Sequence, residues 1–163
     1  MAVKREWLVV DAATAVEVHV SRALRQLVAR SQVSSTALGG ALLAELGDGI
    51  DKTWPSRLDW LSRGFGISIK GETYVQELLL VVDCRNAIVH ASGSMTKQQM
   101  SPFGKALDLR KRLKTVLEID VHATRLVIGE KSVEKSVAAC RRFIEGFDKE
   151  LIGRQYAVNL KEG

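Results

Sequence analysis

The chain has 163 residues, of which 46% are hydrophobic and 26% charged, with a formal net charge of +5. That length suits a single domain, residues 1–163, with a core of its own, and the balance is that of an ordinary soluble globular protein with no internal repeat. The low aromatic content (6%) and only two prolines lean towards helix.

A long first helix is expected from Glu6 to about Arg30. Val9, Val16, Val20, Leu24 and Leu27 recur on one helical face, and Arg22, Arg25 and Arg30 fall off it. His19 lies beside this stripe and reads as a surface or interface histidine, since no second metal ligand sits at matching spacing. Ser31 to Thr36 reads as a loop. Ala37 to Leu46, with Leu38, Leu42, Leu43 and Leu46, suggests a short helix that Gly39-Gly40 weakens. Gly47-Asp48-Gly49 marks a stop and lacks the pattern of a phosphate loop. Thr53-Trp54-Pro55 starts the next helix, with Thr53 as cap and Trp54, Leu58 and Leu61 on its apolar face. Gly64 and Gly66 end it.

From about Glu72 to Ala91 an apolar helix changes character. One stripe runs Val75, Leu79, Val82, Asn86, His90; its neighbour runs Tyr74, Leu78, Val81, Arg85, Ile88. Polar heads thus continue a core-facing surface, and buried polar groups need partners. Gly93 supplies the stop. Ser94 to Gly104 reads as a surface loop. Ala106 to about Lys114 reads as a basic helix, and residues 116–128 as a small β-hairpin in which Leu126-Val127-Ile128 pairs with the alternating Leu117–His122; helix through this region is the competing reading. Ser132 caps the last helix, with Glu134 in its first turn. Val133, Val137, Cys140, Ile144, Phe147 and Leu151 form its seam, either a core face or part of a dimer interface, and the chain frays after Gly153.

Cys84 and Cys140 have neither zinc nor redox spacing and read as reduced, buried thiols. The first residues show no secretory pattern and no window has the length of an apolar membrane span. A cytoplasmic protein without membrane association is expected, with no cofactor and no metal site. The basic surplus lies after residue 100, where 13 Lys and Arg accompany nine Asp and Glu. Lys105, Arg110, Lys111, Arg112 and Lys114 are its densest run: either a solvated face or a guide for a phosphate backbone.

Arg85, Asn86 and His90 carry the chemistry. Asn86 and His90 share a helical face, and Arg85 points about 140° from His90 on an ideal helix, though its length lets it curl back. A guanidinium for phosphate oxygens, an amide for orientation and an imidazole, the side chain that changes charge closest to neutral pH, are parts for metal-independent RNA cleavage. One chain supplies one such histidine, whereas the reaction needs a base and an acid. A two-fold dimer would supply both. The same three residues also suit a helix C-terminus, where His and Arg favour the negative dipole end.

Arg85-Asn86-Ala87-Ile88-Val89-His90 resembles the RNxxxH form of the Rx4-6H motif of the HEPN superfamily, late in an apolar helix and ahead of a loop and a final amphipathic helix. The resemblance covers six residues as sequence and about 54–151 as organisation. It implies a mainly α fold, a bundle of about five helices, often homodimeric. In many members it implies a metal-independent endoribonuclease of toxin-antitoxin or phage-defence systems, with RNA as substrate and an antitoxin protein as a further partner. Arg85 and His90 would then be catalytic, with Asn86 assisting. Other members are non-catalytic modules that bind nucleotide, RNA or protein.

Overall fold

A computed structural model describes residues 2–159, with side chains for 5–154 apart from positions 34 and 48. Seven α-helices and one two-stranded sheet make up the described fold, which is mainly helical as expected. In order they are α1 (Ala2–Arg30), α2 (Ala37–Leu46), α3 (Trp54–Asp59), α4 (Thr73–Ala91), α5 (Lys97–Met100), α6 (Phe103–Leu117), β1 (Asp120–His122), β2 (Arg125–Val127) and α7 (Glu130–Asn159). Contacts divide the chain into two units, one of Met1–Val16 and Glu72–Phe147, the other of Glu17–Gly71 and Asp148–Gly163. Two of the three divisions fall inside α1 and α7, and the third falls between Gly71 and Glu72, just ahead of α4. No helix among the described residues is long and apolar enough to cross a membrane.

The first unit is built on α4. Val75, Leu78, Val81 and Ala87 of α4 are buried together with Val9, Ala13 and Val16 of α1, Leu113 and Leu117 of α6, and Ala139, Phe143 and Phe147 of α7. Phe143 stacks on Phe147 with ring centres 5.7 Å apart and meets the edge of Tyr74 at 6.0 Å. The seam of α7 is kept in part, with Cys140 and Phe147 buried, but the buried face also takes in residues off the expected stripe. Ser132, Ser136, Ala139 and Phe143 are buried, whereas Val137 is exposed. Two serines can hold core positions because their hydroxyls find carbonyls: Ser136 Oγ donates to Ser132 O at 2.7 Å, and Ser132 Oγ to Glu118 O at 2.7 Å. Ser132 does not precede α7 as its cap. It lies in the first turn, accepting the Gly129 N–H at 3.2 Å, and Glu130 is the acidic residue at the positive end of the dipole. Residues 154–159 continue the helix where fraying is expected from the sequence; 160–163 lie outside the described residues.

The hairpin is antiparallel, pairing Asp120 with Val127, Val121 with Leu126 and His122 with Arg125. It is shorter than its alternation suggests. Leu117 closes α6, and Glu118 turns the chain at φ 53°. Ser94–Gly104 is not a plain loop. Met95 is buried, Ser94 bridges to Arg125, and α5 stands in the middle with α6 starting at Phe103. A four-residue helix is too short to show a period.

In the second unit Val20 and Leu24 of α1 are buried, as are Trp54, Leu58 and Leu61 on one face. Thr53 caps α3 through its side chain, with Pro55 in the first turn, and the helix continues as a π-turn over Trp60–Gly64. Arg57 is buried against expectation from its charge. Its guanidinium lies 5.2 Å from the Trp54 ring centre, its Nε donates to Ser21 Oγ at 3.4 Å, and Glu17 stands 3.9 Å away. His19 contacts Asp148 at 2.7 Å. The leucine face of α2 points outward, with Leu38, Leu42 and Leu46 all exposed.

Gly39 explains how α2 tolerates its glycines. Thr36 Oγ1 accepts the Gly39 N–H at 3.0 Å, and a Cβ there would meet the Val33 carbonyl oxygen at 1.9 Å. That oxygen belongs to backbone and cannot swing aside. Gly39→Ala should therefore lower the melting temperature by roughly 2–12 °C, the range set by the cost of overpacking in a chain of this size. Gly71→Ala is the control, since its Cβ would meet open space; differential scanning calorimetry of the two variants makes the comparison.

Candidate active site

The last turns of α4 carry Asp83, Arg85, Asn86 and His90. The chain leaves the helix through Ser92, whose φ of 51° and ψ of 40° are left-handed, and through Gly93 at φ 84°. Both N–H groups return to the Ala87 carbonyl. Backbone thus closes the helix, and the hydrogen bonds of Arg85 and Asn86 run between side chains. Arg85 Nη1 donates to Asn86 Oδ1 at 3.1 Å and faces His90 Nε2 at 3.3 Å. The expected 140° between Arg85 and His90 is bridged by the length of the arginine. A guanidinium has only donors, so a hydrogen bond between the two requires Nε2 as the acceptor. Arg85 Nε is buried without a hydrogen-bond partner.

The segment after the motif is pinned in place. Leu126 N–H donates to Gly93 O and Met95 N–H to Thr124 O, both at 2.8 Å. Thr96 and Gln99 then form a reciprocal cap on α5: Gln99 N–H donates to Thr96 Oγ1 at 3.2 Å and Thr96 N–H to Gln99 Oε1 at 2.9 Å. The free end of the same Gln99 amide donates to Asp83 O at 2.8 Å and Asp83 Oδ1 at 3.1 Å. One glutamine therefore ties α5 to α4 beside the motif.

Between α4, α5 and α6 lies a cleft of about 1040 Å³, lined by Asp83, Asn86 and His90, by Thr96–Gln99, and by Gly104, Lys105, Asp108, Leu109 and Arg112. The structure splits the basic run of α6. Lys105 and Arg112, seven residues apart, share the cleft face. Lys114 turns away to pair with Asp120 at 2.6 Å, Arg110 donates to the Ala123 carbonyl, and Lys111 is exposed. Two of the five cations anticipated for a phosphate backbone thus meet the motif in one cavity. Gln99, Lys97 and Asp108 were not marked by motif reading. The Thr96-x-x-Gln99 spacing, a capping-box signature, is the signal that points to the first of them.

Burial is the main cause that raises the Asp83 carboxyl above its ordinary value; the Gln99 amide and the charge of Arg112 pull the other way. The folded state therefore holds the Asp83 proton more tightly than the unfolded chain. Its contribution to stability is full below the unfolded value of 3.8 and is lost as pH rises through the folded one. Asp83→Asn keeps an oxygen for Gln99 and removes the charge. The variant should match the parent near pH 3.5 and melt at a higher temperature at pH 7, as read by thermal unfolding across that range. A parent that stays ahead of the variant at pH 7 would contradict this account.

Cys84 and Cys140 are free, and burial pushes both thiols up, Cys140 to about 11, which keeps them protonated and inert near neutral pH. Among the described residues no three His, Cys, Asp or Glu side chains gather as metal ligands. Compared with protein-family models, with curated proteins and with solved structures, the chain matches none.

Proposed function

We propose that this protein is a metal-independent endoribonuclease acting as a homodimer, with Arg85, Asn86 and His90 of each chain set around one scissile phosphate. The observation that carries the reading is that Asn86 and His90, both in contact with Arg85, line a cleft that also holds Lys105 and Arg112; Arg85 itself stands behind them and is not part of the lining. The RNxxxH resemblance to the HEPN superfamily supports it independently of the geometry.

In this reading the resting Arg85–His90 contact is exchanged on binding. A phosphate oxygen is a stronger partner for the guanidinium than a neutral imidazole nitrogen. Arg85 then turns its donors to the phosphate and frees the Nε2 lone pair. Nε2 takes the proton of the ribose 2′-OH, the 2′-oxygen bonds to phosphorus, and the bond from phosphorus to the 5′-oxygen breaks. Arg85 balances the charge that builds on the phosphorane oxygens. The leaving oxygen needs a proton, and the partner subunit's His90, in its protonated form, supplies it. The products are a 2′,3′-cyclic phosphate and a 5′-hydroxyl.

Purified protein is expected to cut RNA in EDTA and to leave these ends, and to elute as a dimer. Equal cleavage by parent and His90→Ala would overturn the assignment. An active form would be poorly tolerated in a cell, which fits a cytoplasmic toxin or phage-defence component held in check by an antitoxin protein. A second reading, a non-catalytic module that binds nucleotide, RNA or protein, is favoured by the single imidazole that each cleft contains. It predicts RNA binding that weakens with Arg85→Ala, without turnover.

A further inference from the structure

We propose that Asp108 is a base-reading residue that selects guanine in an unpaired RNA strand; the inference rests on the RNA reading above. The wall that α6 presents to the cleft carries Lys105, Asp108, Leu109 and Arg112. Their spacing of three and four residues puts all four side chains on one helical face. Lys105 and Arg112 lie about 10 Å apart along the axis, with Asp108 between them. An Asp followed four residues later by an Arg is placed to form an ion pair. Yet among the described residues Asp108 holds neither a hydrogen bond nor an ion pair. Arg112 reaches instead towards the Gln76 carbonyl, at 3.5 Å.

A carboxylate in this place repels the phosphates that the two cations would hold. It is of use only to a group that donates hydrogen bonds. Besides the 2′-hydroxyls, the donors of an RNA strand lie on the edges of its bases. The four bases differ there. Guanine offers N1–H and its N2 amino group side by side, matching the two oxygens of a carboxylate. Adenine and cytosine each offer one amino group beside a ring-nitrogen acceptor. Uracil has a single N–H between two carbonyl oxygens, which a carboxylate repels. These edges are free only in an unpaired strand. Leu109, half-buried and next in the chain, gives the cleft apolar surface for the plane of a ring. Cations on either side of one acceptor thus describe a nucleotide subsite, in which Lys105 and Arg112 hold the backbone and Asp108 reads the base.

The test measures binding by fluorescence anisotropy in a His90→Ala background, which prevents cleavage. The probes are labelled oligouridines that carry guanosine, inosine, adenosine, cytidine or uridine at one central position. The guanosine strand should bind roughly 5- to 150-fold more tightly than the all-uridine strand. Inosine lacks only the N2 amino group and should lose part of that advantage. Adding Asp108→Ala should weaken binding of the guanosine strand and leave the uridine strand bound as well or better, since a repulsive charge is gone. Equal affinity for all five strands before that substitution would overturn the proposal. So would a guanosine preference that survives it. A substitution that shifts every strand by the same factor would overturn the proposal too, for that is the mark of a charge without base recognition. If the protein binds none of the strands, with His90 or without it, the RNA reading itself falls and this subsite with it. A guanosine preference that depends on Asp108, in a protein that never cleaves RNA, would keep the subsite and overturn only the catalytic reading.

Discussion

His90→Ala is expected to slow RNA cleavage by roughly 10²–10⁴-fold, the usual cost of removing a positioned general base. His90 is exposed and contacts the Arg85 side chain, so its removal should change stability by no more than about 0.5 kcal/mol. The combination of a large rate effect and an unchanged melting temperature is what separates chemistry from architecture. If the motif served only the helix end, the order would be reversed: cleavage intact or absent in both proteins, and a lowered melting temperature. The Ser92 and Gly93 N–H groups, not the Arg85 or His90 side chains, take up the carbonyl of Ala87, so that hydrogen-bond cap survives removal of His90. Arg85→Lys is the companion variant. A lysine keeps the charge but cannot reach two partners through a planar fork, so it should recover little of the rate. Cleavage products are followed by gel electrophoresis of a labelled RNA and folding by circular dichroism.

Residue chemistry made the local punctuation legible. Thr53 stands as a cap where its type demands, α2 runs Ala37–Leu46 as expected, and Gly93 helps close α4, whereas the cap that Thr36 supplies to α2 was hidden in what reads as a loop. Periodicity was enough for the buried faces of α1 and α3; in α4 it found Val75, Leu78, Val81 and Val82, but Leu79 is only half-buried, and Leu80 and Cys84, off both stripes, are buried. It failed where a polar side chain solves its own burial problem. Ser132 and Ser136 look like solvent-facing residues, yet each bonds a nearby carbonyl, and this brings them into the buried face of α7 beside the expected Cys140 and Phe147. Arg57 is hidden for a related reason, with Trp54 and Glu17 supplying what water would. The candidate site was legible as a motif and illegible as a cavity. Nothing local in Lys105 or Arg112 distinguishes them from Lys114; what separates them is a seven-residue spacing that matters only once α6 lies against α4. Gln99 is hidden because its role depends on Asp83, sixteen residues earlier.

Phe143→Ala should be the most damaging single truncation in the unit that carries the motif, at about 3–5 kcal/mol. Phe143 is fully buried, stacks on Phe147 and meets the Tyr74 edge. Truncation removes apolar area and leaves a void between α7 and the start of α4. Ring pairs add about 0.5–1.5 kcal/mol beyond burial, so the loss should lie in the upper part of that range. For a chain of this size the melting temperature should fall by roughly 6–20 °C. Gly146 limits any repair: a methyl there would come within 2.8 Å of the Tyr74 ring, so the ring already fills the space along α7 and cannot slide far to close the gap. The consequence for function is distinct from that of His90→Ala. Activity of the Phe143 variant should follow the folded fraction, near the parent's below its transition and lost above it. A variant that melts like the parent would show that α7 does not hold α4 through this ring, and the placement of the motif would need another source of rigidity.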